Sequence, residues 1–190
     1  MRLYSKYGKR VLDIFLSLTA FILIGWIMLI VALLIKLFDP GPVIFMQKRI
    51  GKNGKEFNFY KFRSMPVNTG DIPSDKVGQI KLTWIGKLIR RSNLDELPQL
   101  FNILKGDMSI VGPRPPIQKQ TDLIEYRKQN GSLYCLPGLT GLAQIKSFDG
   151  MSVEKKAHYD GEYASNITFL SDVKIIINTF LYLFKPPPVY

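Results

Sequence analysis

Residues 14–35, reading IFLSLTAFILIGWIMLIVALLI, carry neither a charged side chain nor a proline. As an α-helix this run extends about 33 Å at roughly 1.5 Å per residue, which matches a bilayer hydrocarbon core of about 30 Å. It is too long for the apolar core of an ordinary signal peptide, and no small-residue cleavage pattern follows, so the segment is read as retained. Arg2, Lys6, Lys9 and Arg10 precede it, while Lys36, Lys48, Arg49, Lys52 and Lys55 follow it. Positive charge on both flanks marks both ends as cytoplasmic and favours a re-entrant helix over a spanning one. The chain then divides into a membrane-embedded stretch at 1–38 and a cytoplasmic domain at 39–190.

With the apolar run set aside, roughly 150 residues remain, enough to bury one core and too few for a second catalytic domain. Lys and Arg outnumber Asp and Glu by 26 to 15, for a net charge of +11. That excess favours anionic partners such as lipid headgroups, nucleic acid or nucleotide diphosphates. Cys135 is the single cysteine, so intrachain disulfides and thiolate-rich zinc sites are excluded, and a reducing compartment fits. His158, also alone, reads as a surface or packing residue rather than a metal ligand.

Outward from the apolar run, Asp39-Pro40-Gly41-Pro42 ends the helix, because proline cannot continue it. Val43-Ile44-Phe45-Met46 and Phe57-Asn58-Phe59-Tyr60 are rich in strand formers, and Asn53-Gly54 suits the positive φ angles of a tight turn. A β-hairpin is therefore predicted. Gly51-Lys52-Asn53-Gly54-Lys55 lacks Walker spacing and is read as the basic turn of that hairpin, not a phosphate loop. Residues 65–77 are polar, contain Pro66, Gly70 and Pro73, and are expected to form a loop at substrate entry. Between 82 and 91, Ile85, Leu88 and Ile89 recur at helical spacing among Lys81, Lys87, Arg90 and Arg91. Such a basic amphipathic helix suits either a headgroup surface or the core. Leu97, Leu100, Phe101 and Leu104 mark another helix face, closed by Gly106 as a C-terminal cap. Ile110-Val111 leads into a proline-stiffened loop. Phe169, Val173, Ile176, Ile177 and Phe180 form a last helical stripe, which Lys185-Pro186-Pro187-Pro188 cannot extend. The fold class is mixed α/β, a helix-rich cytoplasmic domain with amphipathic interfacial helices and a small hairpin.

Leu94-Asp95-Glu96-Leu97-Pro98-Gln99-Leu100 sets two carboxylates side by side in basic surroundings. Lys105-Gly106-Asp107-Met108-Ser109 and Gly112-Pro113-Arg114-Pro115 follow it. Together with Lys9-Arg10-Val11-Leu12-Asp13, Tyr60-Lys61-Phe62-Arg63-Ser64-Met65 and Pro137-Gly138-Leu139-Thr140-Gly141-Leu142-Ala143-Gln144, this string resembles the bacterial sugar transferase family, the monotopic phosphoglycosyl transferases. The likeness covers nearly the whole chain. It implies transfer of a sugar 1-phosphate from a UDP-sugar to polyprenyl (undecaprenyl) phosphate with release of UMP, initiating a surface glycan. It also implies a re-entrant helix at the bacterial inner (cytoplasmic) membrane, anionic inner-leaflet lipids as neighbours, and no nucleic acid partner.

The resemblance assigns Asp95 as a nucleophile that forms a covalent aspartyl-phosphosugar and Glu96 as the ligand of Mg2+. Adjacent residues on a helix point about 100° apart, so one carboxylate can face phosphorus while the other holds the ion. Lys61, Arg90 and Arg114 match basic positions that would bind the substrate phosphates. Arg114 stands out because flanking prolines stiffen its loop and its planar guanidinium binds phosphate bidentately. Asp172, in Leu170-Ser171-Asp172-Val173-Lys174, matches a further acidic position of the family, as acidic support partnering a second metal or a basic residue, and a solvated helix-start aspartate explains it equally well. Taken alone, Asp95-Glu96 also fits an acidic helix start with a capping-box pattern from Asn93 to Glu96. Two departures stand out. Gly25-Trp26 occupies the place of the Ser-Pro pair that breaks the helix in many relatives, and Leu136 stands where relatives often have arginine. Competing functions are a non-catalytic membrane-bound binder of anionic lipid or nucleic acid, and a metal-dependent glycosyltransferase that leaves UDP. No Asp-X-Asp motif supports the latter.

Overall fold

A computed structural model describes residues 3–67, 82–146 and 151–183. Most of the expected 65–77 loop, Lys81 and the proline tail at 185–188 lie outside the described residues. The apolar run forms α1 (Lys9–Phe38), entered through a π-helical turn at Tyr4–Gly8. It passes through Gly25-Trp26 without leaving the α-helix, and the Trp26 indole N–H donates to the Leu23 carbonyl at 2.9 Å. Asp39 caps its end, its N–H returning to the Ile35 carbonyl, just before Pro40 as expected.

Only a narrow stripe of α1 is buried, and its chemistry changes along the helix. Asp13 and Ser17 face inward near the start, and Met28, Val31 and Ile35 near the end. Val11, Phe15, Ile22, Leu23, Trp26, Leu29, Leu33 and Leu37 point outward, leaving a long apolar surface. Such a surface is stable only against lipid or another protein. Both halves of α1 pack on the rest of the chain. Near its start, the Arg10 guanidinium donates to the Ile103 and Leu104 carbonyls at 2.5 and 2.8 Å, satisfying orphan groups at the C-terminal end of a later helix. Near its end, Met28, Val31 and Ile35 form a cluster with Phe62, Ile85 and Ile89.

The hairpin is present and longer than predicted. β1 (Ile44–Ile50) pairs antiparallel with β2 (Glu56–Phe62), with Gln47 opposite Phe59. Asn53 and Gly54 take positive φ angles of 60° and 74° at the turn, as their identity predicts. The polar half of β1 escaped the hydrophobic pattern because its inward positions are Gln47 and Arg49, both buried. α2 (Trp84–Arg91) opens on Thr83, whose Oγ1 accepts from the Gly86 N–H at 3.2 Å. Ile85 and Ile89 enter the core, the packing that its periodicity allowed, whereas Leu88 and Trp84 stay about half exposed.

α3 (Gln99–Lys105) ends at Gly106 with φ 96°, confirming the glycine cap. Its buried face is Gln99, Leu100, Asn102 and Ile103, and Phe101 instead lies against Phe21 of α1. Of the apolar face read from the sequence, Leu100 is buried and Leu97 packs on a core cluster, while the face also takes in the polar Gln99 and Asn102. After α3, β3 (Ser109–Val111) pairs in parallel with β4 (Gly138–Thr140), with α4 (Thr121–Gln129) in the crossover. Parallel pairing needs a crossover of this kind, and three-residue strands give no readable alternation. Here the two backbones touch: a Cβ on Gly138 would stand 2.1 Å from the Gly112 nitrogen. α5 (Leu142–Lys146), α6 (Val153–Ser165) and α7 (Phe169–Leu183) complete the described chain. On α7 the predicted stripe is largely outward, with Phe169, Ile177 and Phe180 exposed, while Asp172 and Ile175 are buried.

Candidate functional site

Asp95 and Glu96 do not lie on an α-helix. Asn93, in the left-handed region with φ 55°, reverses the chain after α2, and Leu94–Glu96 form one 3-10 turn before Pro98 and α3. Asn93 makes no side-chain cap, so the capping-box reading of the pair is replaced by a turn. Leu94 and Leu97 on either side pack against the core cluster shared by α1 and α2. Gripped from both sides, the turn holds its two carboxylates among cations that come from distant parts of the chain.

Lys61 projects from β2, with Nζ 3.0 Å from Glu96 Oε1 and 3.6 Å from Asp95 Oδ2. Arg114 arrives from the loop after β3 and places Nη2 2.6 Å from the same Glu96 oxygen. Arg90, at the end of α2, adds positive potential at Asp95. All three sequence-predicted cations thus act on the acid pair. Asn102 of α3, which sequence reasoning missed, fixes the strand that carries Lys61. Its Oδ1 accepts from the Tyr60 N–H at 3.1 Å, and its amide donates to the Asn58 carbonyl at 2.7 Å. An asparagine amid apolar helix residues is the one sequence signal that could have revealed it.

The neighbouring acids are driven apart in proton affinity. Burial raises Asp95 above the usual carboxylate range, and the adjacent Glu96 charge adds to this, while Lys61, Arg90 and Arg114 pull against it. Burial would raise Glu96 too, but Arg114 and Lys61, by charge and by hydrogen bonding, hold it far below that range. One acid is therefore held as an anion beside another whose proton affinity burial raises.

Among the described residues no group of three or more His, Cys, Asp or Glu side chains could hold a metal by themselves. Magnesium does not require one, because it commonly takes one or two carboxylates, several waters and substrate phosphates. Glu96 suits that donor set, because Arg114 and Lys61 hold it ionised beside the space a phosphorylated substrate would share with them. The residues present fit Mg2+ held together with a phosphorylated substrate.

Asp172 belongs to a different cluster. Its Oδ2 accepts from the Tyr4 hydroxyl and the Lys9 ammonium, each at 2.7 Å, and the Tyr163 hydroxyl lies 2.9 Å from Oδ1. Asp172 thus pairs with a basic residue, Lys9, while also sitting in the first turn of α7, and ties that helix to the start of the apolar helix. Leu136, the other departure, has its carbonyl beside Gly112: a Cβ there would lie 2.3 Å from that oxygen. The residue replacing the expected arginine therefore abuts the loop that carries Arg114.

A hairpin and a parallel strand pair thus set lysine and arginine against an acid pair, in a chain with, among the described residues, one helix long and apolar enough to cross a membrane. Residues 4–186 match the model of the bacterial sugar transferase family, and the chain belongs to that family. It is 40% identical over 189 residues to exopolysaccharide production protein PSS of Rhizobium leguminosarum bv. phaseoli, covering 90% of this chain and 92% of that protein. It is 42% identical to a UDP-glucose:undecaprenyl-phosphate glucose-1-phosphate transferase of Klebsiella pneumoniae, covering 93% of this chain and 39% of the relative. A UDP-N-acetylgalactosamine-undecaprenyl-phosphate N-acetylgalactosaminephosphotransferase of Aeromonas hydrophila is 38% identical, with 90% and 42% covered. The chain thus spans about two fifths of the length of these last two relatives.

Proposed function

We propose that this protein transfers a sugar 1-phosphate from a UDP-sugar to a polyprenyl phosphate, through a covalent intermediate on Asp95, and releases UMP. The single observation that carries the reading is the split acid pair, with Glu96 held ionised by Lys61 and Arg114 and Asp95 buried beside it. In the first displacement a carboxylate oxygen of Asp95 bonds to the sugar-bearing phosphorus. The bond from that phosphorus to the bridging oxygen breaks, and UMP leaves with the electron pair. In the second, an oxygen of the polyprenyl phosphate attacks the same phosphorus and the Asp95 carboxylate is released, giving a polyprenyl diphosphosugar. Arg114 and Lys61 stabilise charge on the phosphoryl oxygens, and Arg90 favours the ionised form of Asp95. Mg2+, held through Glu96, would neutralise the diphosphate and the departing phosphate.

The packing of α1 supports a monotopic seat. Arg10 and Asp13 anchor its start, and Met28, Val31 and Ile35 anchor its end, all to the same domain. A helix attached along both halves to one domain keeps both ends on that domain's side, in accord with its flanking charges. Its outward apolar surface enters the cytoplasmic leaflet, where anionic lipids meet the basic chain.

Purified protein incubated with polyprenyl phosphate and a panel of UDP-sugars should release UMP, and chelating magnesium should stop it. Without acceptor, intact mass spectrometry should show a phosphosugar adduct that Asp95→Asn lacks. Lipid binding without UMP release, unaffected by Asp95→Asn, would instead favour the non-catalytic binder.

A further inference from the structure

Pro113, Pro115 and Pro116 have no N–H, so the loop that presents Arg114 cannot fold on its own hydrogen bonds, and its carbonyls need donors from elsewhere. The structure supplies one for each of four consecutive carbonyls. Gly138 N–H donates to Pro113 O at 2.9 Å and Ile50 N–H to Pro116 O at 2.9 Å. Between them, Arg127 Nη1 donates to Arg114 O at 2.8 Å and Arg49 Nη1 to Pro115 O at 3.0 Å. The two middle donors are charged side chains, and both are buried.

The rest of each guanidinium is held rigidly. Arg127 Nε and Nη2 both donate to Asp160 Oδ2, at 2.8 and 2.6 Å, and Asp160 is buried on α6. Arg49 Nε donates to Gln47 Oε1 at 2.8 Å, and its guanidinium lies over the Phe59 ring at 5.2 Å. Burying two arginines is a poor route to stability, since apolar residues of similar volume usually serve as well. A planar fork with several fixed donors is instead suited to setting the position of a peptide. We infer that Arg127, oriented by Asp160, and Arg49 are positioning residues. They grip the Arg114–Pro115 peptide from behind, so that the Arg114 guanidinium is presented to Glu96 and to the substrate phosphates. This rests on the phosphate-binding role proposed above for Arg114.

The test is a double-mutant cycle between Arg127 and Arg114, read as kcat/KM for UMP release and separately as Kd for UDP. Arg127→Lys keeps a positive charge opposite Asp160 but loses the fork. With Arg114 in place it should lower kcat/KM about tenfold and weaken UDP binding. In an Arg114→Ala background the same change should cost less than about twofold, because the group being positioned is gone. Equal losses in the two backgrounds would make Arg127 merely structural and overturn the proposal. If Arg127→Lys fails to fold by circular dichroism, Arg49→Lys tests the other side of the same peptide in the same cycle. Failure of both to fold also overturns it. A wild-type protein that binds UDP without releasing UMP would sink the transfer reading alone, and the cycle on binding would then judge the clamp. One that does neither overturns both.

Discussion

Asp95 and Asp172 are both buried aspartates, 6% and 1% exposed, and each lies within reach of a lysine, yet their surroundings differ in kind. Both oxygens of Asp172 are engaged at hydrogen-bond distance, by Tyr4 and Lys9 on one and Tyr163 on the other. Among the described residues Asp95 has a looser ion pair, Lys61 at 3.6 Å, with Arg90 and Arg114 acting on it by charge and a second carboxylate as its chain neighbour. A buried acid whose bonds are complete holds elements together. A buried acid held only loosely beside a second carboxylate is costly when charged and is the kind of group that clusters at functional sites.

The sharpest way to break this contrast is Asp95→Asn, which should reduce UMP release by about a thousandfold or more. Its circular dichroism and unfolding midpoint should stay near wild type, because the change removes an acid that burial already disfavours when charged. Asp172→Ala should do the reverse. Removing one partner of the Lys9 pair strands a nearly buried ammonium, at a cost of about 3–5 kcal/mol in denaturant unfolding.

Smaller effects sharpen the comparison. Arg114→Lys keeps the charge but loses the planar fork, so kcat/KM should drop by about 10- to 100-fold with stability little changed. The pH profile should follow from the raised proton affinity of Asp95. The nucleophile must be ionised, so kcat/KM should fall on the acid side at a pH above the ordinary aspartate value of 3.8. Glu96 has the opposite sign. Its lowered affinity contributes stability that is present above the ordinary glutamate value of 4.5 and is lost as pH falls toward its folded value. An acid limb at an unshifted aspartate value would contradict the burial argument. Leu136→Arg should have the least effect, within a few-fold on KM for the UDP-sugar, since its backbone already abuts the Arg114 loop.

Much of this was legible in the amino-acid order, for local reasons. The apolar run, the Asp39-Pro40 stop, the Asn53-Gly54 turn and the Gly106 cap follow from solvent preference and permitted φ angles, which act on neighbours in the chain. The acid pair and its cations were equally visible as residue types. What could not be read was the turn under Asp95, because a residue with positive φ at Asn93 and a proline at 98 fit either a helix start or a reversal. Also hidden were the inner face of β1, which is lined by Gln47 and Arg49 instead of apolar residues, and the pairing of three-residue strands far apart in sequence.

Residue identity and spacing alone established the helix at the start, the hairpin, the candidate acids and cations, and their likeness to a sugar transferase. Three-dimensional packing decided which acid its cations hold below the usual range, which aspartate is bonded through both oxygens, and which buried arginines meet the Arg114 loop. The physical reason is range. Backbone propensity and hydrophobicity are written residue by residue, whereas proton affinity and hydrogen-bond satisfaction depend on groups that only the folded chain brings within a few ångströms.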